Sequence, residues 1–203
     1  MQIKSGTTLG DLGELCLAVG EASLLRQLAS DAYLVVYPWE RGGPGGPFDT
    51  CVIGEDEQTD PANATILDHE DQPTDRRSRA VRETIKAHAA AVSLSAQDAF
   101  LMPLEKTQRN PFTQLITLGR ARNNDLIVNS PSVSKVHAWF LNGGPTGWFL
   151  QDNGSTNGTT HNDEQTPART NVALRFGDTI GFGGVQAVFA DSEGVLELAK
   201  RRW

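Results

Sequence analysis

Four side chains in the second half of this chain have the types needed to hold a multiply charged oxyanion. Arg120 offers a planar fork of donors that stays charged at any working pH, which matches an oxyanion better than a flexible ammonium does. Ser134 and Thr156 offer hydroxyls, and Lys135, beside Ser134, adds charge. The run Asp152-Asn153-Gly154-Ser155-Thr156-Asn157-Gly158-Thr159 is a turn sequence whose backbone N–H groups can curve into an anion-holding nest. A phosphorylated side chain carries about −1.5 to −2 charges and three strong acceptor oxygens. A cation, hydroxyls and N–H groups converging on one point would bind such a group.

Binding is favoured over catalysis. Ser134 and His137 are the types of a nucleophile and a base, but no Gly-x-Ser-x-Gly elbow and no placed third carboxylate accompany them. The histidines, at 69, 88, 137 and 161, lack metal-ligand spacing, so no zinc site is expected. Asp152 to Asn157 lacks the regular oxygen ligands of a calcium loop. Gly181-Phe182-Gly183-Gly184 follows a strand but opens no helix, so it is no nucleotide fingerprint. The expectation is no catalytic residue, no metal and no cofactor.

These polar clusters are separated by short apolar runs: Leu126-Ile127-Val128, Ala138-Trp139-Phe140-Leu141 and Trp148-Phe149-Leu150. Runs this short, bounded by Asn, Asp, Ser, Gly and Pro, read as strands joined by tight loops. Further strands are expected at 99–104, 115–118, 136–141, 147–151, 159–161, 178–182 and 185–190, with Pro103 confining the first to a sheet edge. Turns are placed at 142–145, 163–164 and 183–184. Many short strands with regular turns mean an all-β sandwich, which gathers its loops, and with them the candidate residues, at its ends. Trp139, Trp148, Phe149, Phe182 and Phe189 alternate within strands and are expected in the core.

The first half has a different texture. Leu9, Leu12, Leu15, Cys16, Val19, Leu24, Leu25 and Leu28 recur at steps of three and four, predicting an amphipathic helix broken near Gly20 and capped by Thr7 or Thr8. Residues 32–37 read as a strand ended by Pro38, with 48–53 as its hairpin partner. An acidic linker over 54–75 and a helix over 76–91 follow, and the tail from Gly194 reads as a short helix or a frayed end. Residues 1–97 hold 8 Lys/Arg against 15 Asp/Glu, a net of −7, whereas residues 98–203 hold 10 of each. That asymmetry places a boundary near residue 95. The division is thus a small α+β region at 1–53, an acidic linker and helix at 54–96, a sandwich at 97–192 and a tail at 193–203.

Composition bounds the partners. With no basic stripe beyond Lys200-Arg201-Arg202, nucleic acid is not an expected partner. No run of about 18 apolar residues exists, so no membrane span is expected either. Two cysteines, Cys16 and Cys51, are too few for a disulfide framework and read as buried thiols in a reducing, cytoplasmic setting.

Gly119-Arg120, the Ser-x-x-His of Ser134 and His137, Ser155-Thr156-Asn157-Gly158-Thr159, and Gly177-Asp178 with Ile180-Gly181-Phe182-Gly183 stand in an order that resembles the forkhead-associated (FHA) domain. The resemblance covers 97–192 and implies a phosphothreonine-binding β-sandwich, preceded here by a smaller α+β or mainly helical region. It implies that Arg120, Ser134 and Thr156 contact phosphate, that Lys135 assists, and that Asn157 bonds the ligand's main chain. Gly119, His137 and Gly158 are implied to be structural, with His137 bracing the loop of Ser134. Asn129 to Val133 and Asn153 are the candidates for reading the third residue after the phosphothreonine. The implied function is that of a signalling adaptor, its partner a phosphothreonine-containing protein such as a Ser/Thr kinase or its substrate. A structural or assembly module that keeps the fold but binds an unphosphorylated surface is the alternative. A linker threonine, Thr59 or Thr65, is a further candidate ligand by intramolecular capture, since a tether raises effective concentration to about millimolar.

Overall fold

Alternate residues of a strand face opposite sides of a sheet, and this period organises the fold in a computed structural model that describes residues 6–38 and 98–200. In chain order the strands are β1 (Tyr33–Val36), β2 (Phe100–Pro103), β3 (Leu115–Gly119), β4 (Leu126–Ile127), β5 (Ala138–Asn142), β6 (Trp148–Asp152), β7 (Thr159–His161), β8 (Glu164–Gln165), β9 (Asn171–Leu174), β10 (Thr179–Phe182) and β11 (Val185–Ala190). They form two sheets, ordered β2-β1-β11-β10-β7-β8 and β4-β3-β5-β6-β9, with β3–β4 the parallel pair. Between them Leu34, Phe140, Leu150, Ile180 and Phe182 form a core with no exposed surface. The architecture is a β-sandwich.

The first sheet is covered on its outer side as well. Tyr33, Val35, Leu101, Val188 and Ala190 point away from the sandwich core and pack against helices α1 (Leu9–Val19), α2 (Glu21–Gln27) and α3 (Ser192–Lys200). Hence β1 is buried along its whole length and reads as an unbroken apolar run. A capping box starts α1, with the Thr8 hydroxyl accepting from Asp11 N–H and the Asp11 carboxylate accepting from Thr8 N–H, both at 3.1 Å. Gly20, at φ +80, separates α1 from α2, as the sequence predicts. The tail is helical as α3 and is tied back by Lys200 Nζ to Glu21 Oε1 at 2.9 Å and Ser192 Oγ to Leu28 O at 3.1 Å. No helix among the described residues is long and apolar enough to cross a membrane.

Four expectations are corrected. Tyr33–Val36 does not belong to a separate N-terminal unit: it is paired along its full length between β2 and β11, in registers such as Val35↔Leu101 and Val35↔Val188. A strand has two edges, and both of these are taken by the sandwich. The proposed partner at 48–53, the linker, the helix at 76–91 and Cys51 lie outside the described residues. Trp139 and Phe149 are half-buried rather than core, because β5 and β6 turn them to the outer side of the second sheet, where Trp139 meets Phe112 at 5.8 Å. Cys16 is half-buried beside the helical layer. The strand at Asn171–Leu174 was not read from the sequence, and the 163–164 turn is centred one residue earlier, on Asn162 and Asp163 at φ 50 and 68.

Candidate anion-binding site

The site is built where the ends of β3, β5, β6 and β10 meet. Gly119 closes β3 against the 134–136 backbone, so closely that a Cβ would collide with the Lys135 carbonyl. The approach lets Arg120 N–H donate to Ser134 O at 3.0 Å and Ala121 N–H donate to Lys135 O at 3.1 Å. The buried Asn124 amide locks the same junction, donating to Ala121 O at 2.8 Å and Lys135 O at 2.7 Å. Arg120 is thereby held by its backbone while its side chain remains exposed.

His137 joins this junction to the next loop. Its Nδ1 accepts the Ser134 N–H at 3.1 Å, which puts the ring proton on Nε2, where it donates to Gly158 O at 3.1 Å. The ring is fully buried and lies edge-on to Phe182 at 5.7 Å. Burial holds its pKa below the ordinary histidine value, against the opposing pull of the Gly158 carbonyl and the Asp152 carboxylate. Gly158 O also accepts from Gly183 N–H at 3.1 Å, and Gly184 N–H donates to Ser132 Oγ at 3.2 Å, so the β10–β11 turn braces both loops.

Asp152 shapes the 153–158 loop. Its carboxylate accepts from Gly154 N–H at 2.7 Å, Ser155 N–H at 2.9 Å, Ser155 Oγ–H at 2.6 Å and Thr159 Oγ–H at 2.6 Å. Burial works to raise its pKa, but the hydroxyls of Ser155 and Thr159 and the two N–H groups outweigh it, and the group stays below the usual carboxylate range. The loop, turned by Gly154 and Gly158 at φ +74 and +75, brings Thr156 to Ser134: Thr156 N–H donates to Ser134 Oγ at 3.0 Å, and Ser134 Oγ–H donates to Thr156 Oγ1 at 3.3 Å. The Thr156 hydroxyl proton is left uncommitted. Asn157 donates from Nδ2 to Ser132 O at 2.8 Å, and its side-chain carbonyl oxygen has no partner among the described residues.

The structure thus brings together Arg120, Ser134, Thr156 and Asn157, with Lys135 exposed beside Ser134. Arg120 and Lys135 have no ion-pair partner among the described residues, so the cationic rim is uncompensated. Several residues that hold the arrangement were not given that role in the sequence: Asp152 and Asn124, Ser132, which was named only as a candidate for reading the ligand, and the Gly183-Gly184 pair, which was read only as a turn. Asp152 was findable, because an Asp followed by Gly and Ser at two and three residues is an Asx-turn spacing. The others depend on approaches between distant segments.

His137→Ala is expected to lower both stability and ligand binding, since it orphans the Ser134 N–H, takes one of two donors from the Gly158 carbonyl and leaves a cavity. The cost is about 2–4 kcal/mol. Because its pKa is depressed in the fold, the unfolded chain takes up the proton first as pH falls below about 6.5. The contribution of His137 is therefore complete above that value and is lost as pH drops through the folded pKa. Melting curves at pH 7.5 and 5.5 test this: the destabilisation from 7.5 to 5.5 should be smaller in His137→Ala than in wild type, and equal shifts would contradict it.

The family model of the FHA domain matches residues 116–183. No curated protein matches the chain. Among solved structures, similarity extends to the N-terminal FHA domain of S. cerevisiae Rad53p in complex with a phosphothreonine peptide, at 26% identity over 45% of this chain and 83% of that one, with a TM-score of 0.37. Mycobacterium tuberculosis EmbR, in complex with a low affinity phosphopeptide, is similar at 22% identity over 59% of this chain and 32% of that one, with a TM-score of 0.40. The FHA domain of the CT664 protein from Chlamydia trachomatis is similar at 17% identity over 45% and 84%, with a TM-score of 0.38.

Proposed function

We propose that this chain, whose residues 116–183 match the FHA domain model, binds phosphothreonine-containing proteins as a signalling adaptor, through the loops at one end of its sandwich. The observation that carries this reading is the meeting of the Ser134 and Thr156 hydroxyls at 3.3 Å on an exposed rim where Arg120 and Lys135 have no counter-ion among the described residues. In this reading Arg120 and the two hydroxyls take the phosphate oxygens and Lys135 adds charge. The side-chain carbonyl of Asn157 accepts a main-chain N–H beside the phosphothreonine. The γ-methyl of phosphothreonine distinguishes it from phosphoserine. The role is binding in the cytoplasm, with no catalysis, and the partner is a Ser/Thr kinase or its substrate.

Calorimetric titration with matched peptides carrying phosphothreonine, phosphoserine or plain threonine tests the reading. The phosphothreonine peptide should bind roughly ten- to hundredfold more tightly than the plain peptide, the worth of a charge-assisted contact of about 1.5–3 kcal/mol. Phosphoserine should fall clearly below phosphothreonine. Equal affinity for the phosphorylated and plain peptides would favour a phospho-independent assembly module instead.

The same titration addresses capture of a phosphothreonine from the chain itself. β1 ends beside the start of β11, with Tyr37 N–H donating to Gln186 O at 2.9 Å, and β2 begins opposite Val36. Pro38 and Asp98 therefore both stand on the side of the β10–β11 turn that braces the site loops. Thr59 and Thr65 lie between these points. Phosphate installed at either should lower the affinity for free phosphopeptide by competition from the tether. Undiminished affinity would leave the outside partner as the sole ligand.

A further inference from the structure

One arginine at this end of the sandwich has a backbone that L-residues rarely adopt and a side chain with no partner among the described residues. Arg169, just before β9, has φ 59, in the left-handed region that disfavours a residue with a Cβ. Its N–H donates to Asp152 O at 2.7 Å, and Asp152 also forms a bridge with Ala168. Asp152 is the residue whose carboxylate shapes the loop of Thr156 and Asn157. The backbone of Arg169 is therefore tied to the element that positions the phosphate donors. Its guanidinium rests beside that loop: a methyl built on Gly154 would sit 3.8 Å from Nε and 4.0 Å from Nη2. The side chain is exposed and has no hydrogen bond or ion pair among the described residues.

We infer that Arg169 is a second anion subsite, selecting phosphopeptides that carry an acidic or second phosphorylated residue at a set distance from the phosphothreonine. The inference rests on the phosphothreonine reading of Arg120, Ser134 and Thr156. In the second sheet β5 and β6 stand between β3, which delivers Arg120, and β9, which follows Arg169. At about 4.8 Å per strand the two strands are roughly 14 Å apart, and an extended peptide covers that in about four residues. A ligand crossing the loop end with its phosphate on Arg120 thus passes Arg169 about three to five residues away. A planar, permanently charged fork suits either a carboxylate or a phosphate there. Gly154 leaves the space beside the guanidinium open for the ligand's backbone.

The test uses the full chain and three phosphothreonine peptides of one frame. One has Gln at the third to fifth positions on both sides of the phosphothreonine, one has Asp there, and one has phosphoserine. Wild type should bind the Asp peptide about two- to fivefold more tightly than the Gln peptide, and the phosphoserine peptide at least as tightly as the Asp peptide. The preference should shrink in 0.5 M salt. Arg169→Gln should abolish it, Arg169→Glu should invert it and Arg169→Lys should restore part of it. All three variants should keep the wild-type affinity for the Gln peptide and the wild-type Tm. Moving the Asp residues to one side at a time then assigns the direction of the ligand. Equal binding of the three peptides, or a preference that survives Arg169→Gln, overturns the subsite while leaving the phosphothreonine reading intact. Failure of wild type to bind any phosphopeptide overturns both.

Discussion

Arg120→Ala is expected to weaken phosphothreonine-peptide binding by roughly ten- to hundredfold, on the scale of losing one charge-assisted contact to a phosphate, while leaving Tm within about 2 °C of wild type. The two readouts separate because the residue is held and used through different atoms. Its backbone N–H is bonded to Ser134 O, and that bond survives truncation of the side chain. Its guanidinium is exposed and has no partner among the described residues, so its removal orphans no buried group there. Arg120→Lys should recover only part of the affinity, since an ammonium cannot reproduce the bidentate fork. Ser134→Ala should also weaken binding, with a small loss of stability besides, because Thr156 N–H loses its acceptor. Isothermal titration beside a thermal melt checks all three variants. An Arg120→Ala protein that unfolds, or that binds as wild type does, would show that the residue is not ligand-facing.

The second large effect is on stability, at Asp125. Its side chain is wholly buried and gathers a convergent set of donors. Lys106 Nζ reaches its oxygens at 2.9 and 3.0 Å, Thr107 N–H and Oγ–H at 2.8 and 2.6 Å, Asn110 Nδ2 at 2.9 Å and Thr117 N–H at 2.9 Å. It thus pins the β2–β3 connection to β3, one residue after the Asn124 that locks the site junction. Asp125→Ala removes the acceptor from an ammonium, from the half-buried Thr107 and from the buried Thr117 N–H. The expected loss is about 3–5 kcal/mol, a fall in Tm on the order of 10 °C. Burial alone would raise the pKa of this carboxyl, but Thr107, Thr117, Asn110 and Lys106 outweigh it and hold it well below the ordinary carboxylate range. With the folded pKa depressed, its contribution is complete above the unfolded value of about 3.9 and is lost as pH falls from there toward the folded value. Chemical denaturation from pH 6 to pH 3 should therefore slope less steeply in Asp125→Ala than in wild type. A variant with unchanged Tm and unchanged slope would mean that the donors find other acceptors and that Asp125 organises nothing.

Asn124 and Asp125 show how differently the parts of one loop register in a sequence. Both stand in the polar cluster 123–125, which reads only as a turn. Their work, one bonding Lys135 O and the other Lys106 and Thr107, lies between segments 11 and 18 or 19 residues apart. The residues proposed to face phosphate are easier to read, because a ligand site needs residue types that few turns combine: a guanidinium, two hydroxyls and an amide at fixed offsets. Arg169 has no such neighbours in sequence and becomes visible only through its φ of 59 and its bond to Asp152.

What the sequence by itself determined is everything carried by local patterning. Short runs bounded by turn residues marked most of the strands, the spacing of Leu9, Leu12, Leu24 and Leu28 marked the helices and the break at Gly20, and the order of Gly119-Arg120, Ser134, His137 and 155–159 marked the loops of the candidate site. The tertiary structure alone decided which strands pair and which faces are covered. Tyr33–Val36 was legible as a strand, but its place between Phe100–Pro103 and Val185–Ala190 was not, because Val35 finds Val188 across more than 150 residues of chain. Trp139 and Phe149 alternate as core residues do, yet face outward, because the period of two says which residues share a face but not which face meets the other sheet. Helices over the first sheet bury both sides of β1, whereas the outer side of β5 and β6 lies half-exposed, a choice made by packing between elements distant in the chain.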